Sequence, residues 1–445
     1  MKSRLSAALL ALSVCFPAYS SQEVQDTAEA AETPHTQLPL QELRNFTEIF
    51  DRIRNSYVEE VDDKTLLEYA INGMLTNLDP HSDYLLPEDF SDLQENTTGK
   101  FGGLGIEVGV EDGYIKVISP IDDTPAEKAG IKAGDLIVTL DGEPVRDMAL
   151  SDAVERMRGE PGTNIKLSIR REGEGELLEF VLTRAEIKVA SVRSETLSKG
   201  IGYLRITQFQ EKSGRELNKQ IKKLQESEGE LKGLVLDLRN NPGGVLDAAV
   251  EICDAFLDSG LIVYTEGRLE ESDLRYSATS NTIAKDIPLV VLINGGSASA
   301  SEIVAGALQD HHRAVILGTQ SFGKGSVQSV LPIAGNKAIK LTTARYFTPS
   351  GRSIQAQGIV PDVEVEPSEV TAFEQTYYKE ADLPGHLSNG EDEQEEKNQE
   401  KKESIEARLL AKDFQLYQAY TMLKGWTVFN YIDAKAETKA EALAE

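Results

Sequence analysis

Two short runs limit the folds open to this chain more than any other feature: Gly233–Asp237 (Gly-Leu-Val-Leu-Asp) and Leu289–Ile293 (Leu-Val-Val-Leu-Ile). Neither alternates apolar with polar residues, so each reads as a strand covered on both faces. Helical spacing recurs around them, at Ser213–Glu226, Val245–Leu257 and Ser301–Gln309. Buried strands interleaved with helices mean an α/β core. Ile201–Ile206, Ala314–Leu317, Val327–Leu331 and Ala338–Arg345 supply its remaining strands.

A chain of 445 residues has room for two to four domains, and its texture changes several times. Leu40–Tyr57 and Lys64–Leu78 have helical spacing, and Asp79-Pro80 stops the second, so residues 39–97 form a small helical module. From residue 98 to 186 short strands alternate with glycine turns. A hairpin joins Ile106–Val110 to Tyr114–Ile118, Asp141-Gly142 closes a strand over Asp135–Leu140, and Asn164–Arg170 and Leu177–Thr183 add two more. The α/β core occupies 187–370. Residues 371–403 form an acidic polar linker, and 404–445 a helical extension with Leu409, Leu410, Phe414, Tyr417 and Met422 at helical spacing. That stripe must be buried, either on the chain's own core or on a second subunit, and the subunit contact is favoured.

The first twenty residues carry Lys2 and Arg4 before an apolar stretch, Leu5–Phe16, and small residues near Ser20. This is the pattern of a cleavable secretory signal, and 21–38 follows as a flexible leader. Lipidation at Cys15 is disfavoured by the bulk of Val14. Removal of the signal leaves Cys253 alone in an apolar stretch, where it reads as a buried small hydrophobe. The formal charge of −28 argues against nucleic acid as a partner, because phosphate binding needs a positive surface. Hydrophobic residues at 40% are too many for a globally disordered chain. No run of 18 apolar residues is present to span a membrane.

Chemistry concentrates in three segments. Asn294-Gly295-Gly296-Ser297-Ala298-Ser299-Ala300-Ser301-Glu302 links a buried strand to a helix, which suits a nucleophile displayed on a sharp turn beside free backbone amides. Three serines leave the nucleophile open, and Ser301-Glu302 also reads as a plain helix cap. Gly318–Ser326 superficially matches a phosphate-binding loop, but Gly325 stands where a hydroxyl is required and a strand, not a helix, follows. Asp237–Gly244 ends a buried strand, and its paired glycines can offer amides to an oxyanion. The histidines are His35, His81, His311, His312 and His386. None has metal-ligand spacing with partners, so neither metal nor cofactor is expected. A triad through His311 is conceivable, but its place at a helix end has a simpler dipole explanation. The base for a serine here is expected to be a lysine.

These segments together resemble the C-terminal processing proteases, or tail-specific peptidases, of the periplasmic bacterial type. The signature is carried by Ser297–Glu302, Gln309-Asp310, Phe322–Gln328 and the Asp237–Gly244 loop, with Tyr346–Gly351 and Gly358–Asp362 in support. The resemblance implies a multidomain α/β protein: an N-terminal helical module, a PDZ-like β-rich domain, a crotonase/ClpP-like catalytic core and a C-terminal helix. It makes Ser299 the nucleophile, Lys324 the general base and Gln328 its support, with Asp310 as an acidic member of the relay. The oxyanion hole falls to the amides of Ala300 and of Gly243 or Gly244. Gly103-Leu104-Gly105-Ile106 resembles a PDZ carboxylate-binding loop, which would take substrate tails as an added strand. Lys324 accepts a proton only when neutral, so its pKa must lie well below the ordinary ~10.4. The implied partners are unfolded or tail-exposed proteins, a lipoprotein adaptor and further copies of the chain. Two alternatives from other classes are a noncatalytic periplasmic PDZ scaffold and an acyl-CoA enzyme on the same core.

Overall fold

The computed structural model describes residues 38–146, 148–370, 380, 383–385, 387 and 405–441. The expected signal, nearly all of the leader and most of the acidic linker lie outside the described residues, as do His35 and His386. The chain falls into two compact units, one ending at Ala70 and one beginning at Ile71. The first contains α1 (Leu40–Ser56) and the start of α2 (Asp63–Thr76). Leu43, Phe46, Ile49 and Ile53 line one stripe of α1, yet each is between 42 and 58% exposed.

The second unit continues through β1 (Asp83–Leu85) and α3 (Pro87–Thr98). A small β-rich domain follows: β2 (Lys100–Gly103), β3 (Ile106–Glu111), β4 (Tyr114–Pro120), α4 (Pro125–Lys128), β5 (Leu136–Leu140), β6 (Glu143–Pro144), α5 (Leu150–Met157), β7 (Asn164–Arg170), β8 (Leu178–Thr183) and β9 (Ala185–Lys188). Its sheet runs β3-β4-β5-β7-β8, while β2 and β9 pair antiparallel where the chain enters and leaves. Ile115, Val117, Ile137, Leu167 and Ile169 fill its core, the inward set of alternating strands.

The α/β core comprises β10 (Val192–Ser198), β11 (Ile201–Ile206), α6 (Ser213–Glu228), β12 (Gly233–Asp237), α7 (Leu246–Asp254), β13 (Leu261–Gly267), β14 (Arg275–Ser277), β15 (Leu289–Ile293), α8 (Ala300–Asp310), β16 (Val315–Gly318), β17 (Ser326–Ile333), β18 (Lys337–Phe347) and β19 (Val363–Glu364). The main sheet has the order β10-β11-β12-β15-β16-β19, with β11, β12, β15, β16 and β19 parallel. Every residue of β12 and β15 is buried, as their unbroken apolar sequences require. A second sheet, β1-β18-β13-β14 with β17 on β18, flanks it.

Helices α9 (Ile405–Lys412) and α10 (Phe414–Glu441) complete the unit. The subunit contact favoured for this extension is corrected here. Leu409, Leu416, Ala419, Tyr420 and Leu423 pack on Val235, Val290, Leu292 and Leu317, the outer face of the chain's own main sheet. A parallel sheet must be covered on both faces, and α6, α7 and α8 supply the other cover.

Candidate active site

Three neighbouring parallel strands, β12, β15 and β16, end at one edge of the sheet. Their carboxyl ends continue as the 238–244 loop, the 294–299 turn and the 319–325 loop. The three segments singled out by sequence therefore share the crevice where α/β sheets carry their sites. The first two are stitched together directly. Ser297 Oγ donates to the Leu238 carbonyl at 2.8 Å, and Ser301 Oγ donates to that of Asn241 at 2.9 Å. Asn294 and Asn240 exchange two further bonds, each 2.9 Å.

Ser299 is the N-cap of α8 and is held at φ +55°, ψ −112°, a left-handed backbone uncommon for any residue with a side chain. Strain of that kind collects at functional turns. The residue is only 8% exposed. Ala300 N–H is the first amide of the helix and belongs to the set a helix leaves without an intrahelical acceptor. Gly243 (φ +101°) lies against this turn: a Cβ there would come within 2.8 Å of Ser299 Cβ and 3.1 Å of Ala300 N. Gly244 (φ +140°) abuts the Phe209 carbonyl, leaving 2.1 Å for a Cβ. Gly243 N–H donates to Asn241 Oδ1 at 2.9 Å. Of the two glycine amides offered for an oxyanion hole, that of Gly244 donates to nothing among the described residues.

Glu302 is the residue whose part the sequence concealed. It is fully buried and accepts four hydrogen bonds. Oε2 takes the N–H groups of Ser299 and Lys324, both at 2.8 Å. Oε1 takes Gly323 N–H at 2.6 Å and Ser321 Oγ at 2.5 Å. One carboxylate thus anchors the backbone of Ser299 and that of Lys324. The pair Ser301-Glu302 does mark the helix start, but Ser299 is the cap and Glu302 stands three residues on, completing a capping box.

Lys324 sits in a loop drawn tight by Gly323 and Gly325. Gly325 has only 2.4 Å between a would-be Cβ and Gln355 N. Burial of the Lys324 side chain, helped by the Lys340 ammonium, holds its pKa below the ordinary lysine value, with Asp79 opposing the shift. No hydrogen bond joins Lys324 Nζ to Ser299 Oγ among the described residues. Gln328 does not bond Lys324 either: its amide nitrogen donates to Ser326 Oγ at 2.9 Å and Thr342 Oγ1 at 3.2 Å. Ser326 opens a strand, so the phosphate-loop geometry is absent.

Asp310 lies apart from these residues. It closes the far end of α8, where it accepts from Ser350 N–H at 2.9 Å and Arg352 Nη2 at 2.5 Å. Burial alone would raise its carboxyl, but Thr348, Ser350 and Arg352 hold it below the usual range. Its place in the relay is thereby corrected to a tie between α8 and the 348–352 turn. Asp310 and Arg352 also line a cavity of about 1640 Å³ beside Trp426 on α10, away from Ser299. His311 Nε2 is spent on the Leu261 carbonyl at 2.7 Å, which accounts for it without a triad.

In the β-rich domain Leu104 is buried and Gly105 takes φ +77°, with Thr124 so close that a Cβ would meet it at 2.3 Å. Among the described residues the Leu104 and Gly105 amides donate to nothing. They open on a groove of about 100 Å³ lined by Gly103, Leu104, Gly105, Ile106, Phe101 and Met157.

Residues 200–365 match peptidase family S41, residues 102–183 a PDZ domain, and residues 11–88 the N-terminal domain of the activating protease CtpB. The carboxy-terminal-processing protease of Bartonella bacilliformis is 48% identical over 407 residues, covering 89% of this chain and 92% of that one. The carboxy-terminal processing protease CtpB of Bacillus subtilis is 39% identical over 323 residues, 71% of this chain and 66% of its own. Among solved structures, a photosystem II D1 C-terminal processing protease is 31% identical, with TM-score 0.44 over 74% of this chain and 94% of that one. A PDZ-bearing α/β chain with this turn at its crevice is a serine-type peptidase. It belongs to peptidase family S41, as a carboxy-terminal-processing protease.

Proposed function

We propose that this peptidase acts in the periplasm, captures protein substrates by their carboxyl-terminal tails and cleaves them with a Ser299–Lys324 dyad through an acyl-enzyme. The observation that carries the reading is the buried Glu302 carboxylate, which fixes the backbones of both residues from one anchor. With both main chains held by one anchor, this reading requires Lys324 Nζ to come within hydrogen-bond reach of Ser299 Oγ. Neutral Lys324 takes the hydroxyl proton as Ser299 attacks the scissile carbonyl. The resulting oxyanion is received by the Ala300 amide and a glycine amide of the 243–244 pair. The ammonium then protonates the leaving amine, and water hydrolyses the ester.

The open Leu104 and Gly105 amides support capture of a chain terminus, the tail adding as a strand beside β3. The small apolar groove favours small or hydrophobic final residues. The exposed stripe on α1 supports self-association, and the basic, then apolar, start of the chain supports export. A lipoprotein adaptor at the membrane remains a proposed partner.

Ser299→Ala and Lys324→Ala should each abolish cleavage of a tail-bearing substrate, both proteins melting as the parent does. Intact-mass analysis after a serine-directed phosphonate should place the adduct on Ser299. Normal turnover by either variant overturns the dyad. Amidation of the substrate's carboxyl terminus should weaken capture, and equal binding of acid and amide removes the role given to the PDZ domain.

A further inference from the structure

The turn Asp79-Pro80-His81-Ser82, after α2, reads from sequence as a helix stop and nothing more. In the fold it lies alongside the active-site strands. β1 pairs antiparallel with β18, Asp83 opposite Lys340, which carries the turn to Thr342. Asp79 Oδ1 accepts from His81 N–H at 2.8 Å, Ser82 N–H at 3.0 Å and the Thr342 hydroxyl at 3.1 Å. Asp79 Oδ2 accepts from Ser82 Oγ at 2.6 Å, and Ser82 Oγ in turn accepts Thr342 N–H at 3.1 Å. Burial alone would raise the Asp79 carboxyl, but the bonds from Ser82, His81 and Thr342 hold it below its ordinary value, so it is ionised.

A hydroxyl has one proton to give. An ionised carboxylate only accepts, so the Thr342 proton is committed to Asp79. Toward its cross-strand neighbour Gln328, Thr342 Oγ1 can therefore only accept, and Gln328 must turn its NH2 end that way. The second hydrogen-bond partner of that nitrogen, Ser326 Oγ, lies on the same side. The carbonyl end of the planar amide, Gln328 Oε1, is left without a donor among the described residues.

We propose that Asp79 is a positioning residue of the peptidase reaction, which through Thr342 fixes the orientation of the Gln328 amide and keeps Oε1 as the acceptor for the Lys324 ammonium. The proton that leaves Ser299 Oγ passes to Lys324 Nζ, and the ammonium so formed donates to Gln328 Oε1 until the amine departs. This rests on the Ser299–Lys324 reading. The Asp79 charge also acts on Lys324, raising its pKa against burial and the Lys340 ammonium of β18, while burial and the Lys324 charge lower that of the half-buried His81.

The test is steady-state kinetics on a tail-bearing peptide with folded full-length variants. Thr342→Val removes the relaying hydroxyl at constant shape and should lower kcat about tenfold with KM unchanged, as for loss of one hydrogen bond to a charged group. Thr342→Ser should restore kcat. Asp79→Ala, which also takes a negative charge away from Lys324, should lower kcat at least as far as Thr342→Val, and the double variant should be no slower than the slower single one. Ser329→Ala, which removes a neighbouring cross-strand hydroxyl pair with Thr343, should leave kcat at the parental value. Parental kcat for Thr342→Val, no recovery in Thr342→Ser, or multiplying effects in the double variant each overturn the proposal. Ser299→Ala and Lys324→Ala run alongside: if either turns over, the dyad fails first, whereas if both are dead and Thr342→Val is normal, only the positioning role falls.

Discussion

Replacing Glu302 by Gln tests the central geometry with the smallest change of shape. The best placement keeps the amide oxygen at the Oε2 site, still accepting Ser299 and Lys324 N–H. The new NH2 then stands at the Oε1 site, facing Gly323 N–H and Ser321 Oγ. Ser321 can adapt: its hydroxyl already accepts from Ile359 N–H at 2.7 Å and has a second lone pair for the amide. Gly323 N–H cannot adapt, and an orphaned buried donor costs about 1–3 kcal/mol. The two bonds that remain lose their ionic character, at about 1 kcal/mol each. Relief from burying a charge returns part of this, leaving roughly 2–4 kcal/mol against the anchored loop. At about 1.4 kcal/mol per decade, kcat should fall some thirtyfold to a thousandfold. The assay is kcat on a tail-bearing peptide, with amide exchange at Gly323 and Lys324 as the local readout. A kcat within twofold of the parent, with unchanged exchange, would refute the claim that this carboxylate holds the two catalytic backbones.

Further outcomes follow from the same contacts. Activity should rise with pH as Lys324 loses its proton, with a midpoint below the ordinary lysine value; Lys340→Met, which removes a neighbouring positive charge, should move that limb to higher pH in a kcat–pH profile. Gly243→Ala should fold yet lose at least a hundredfold in kcat, because the added carbon lands 2.8 Å from Ser299 Cβ. Asp413→Ala strips Arg239, only 12% exposed, of two of its hydrogen bonds, and should cost about 2–4 kcal/mol, read as a lower melting temperature and faster proteolysis of the α9–α10 extension. Amide exchange in the 240–244 loop should rise in the same variant.

Much of the core could be read from the chain because burial on both faces leaves an unbroken apolar run. β12 and β15 occupy the residues that their composition marks, and β7 and β11 likewise follow their patterns. Segments stabilised by pairing rather than by apolar burial were not legible. β10 is polar along most of its length and exists as an edge partner of β11, while α3 buries only Phe90. The stripe on α10 announced that something must cover it, but a stripe carries no address, and its partner turned out to be the chain's own sheet. The crevice residues were found through local motifs. What the motifs hid were connections across distance: Glu302 acts on a loop some twenty residues away, and Asp79 on a strand 263 positions later.

Arg239 grips Asp237 at the end of β12 and, with the same guanidinium, Asp413 at the head of the last helix. One side chain therefore ties the head of the last helix to the strand that leads into the 238–244 loop. Loosening of the last helix would free the guanidinium that holds the end of β12, which couples the order of α10 to that of the 238–244 loop.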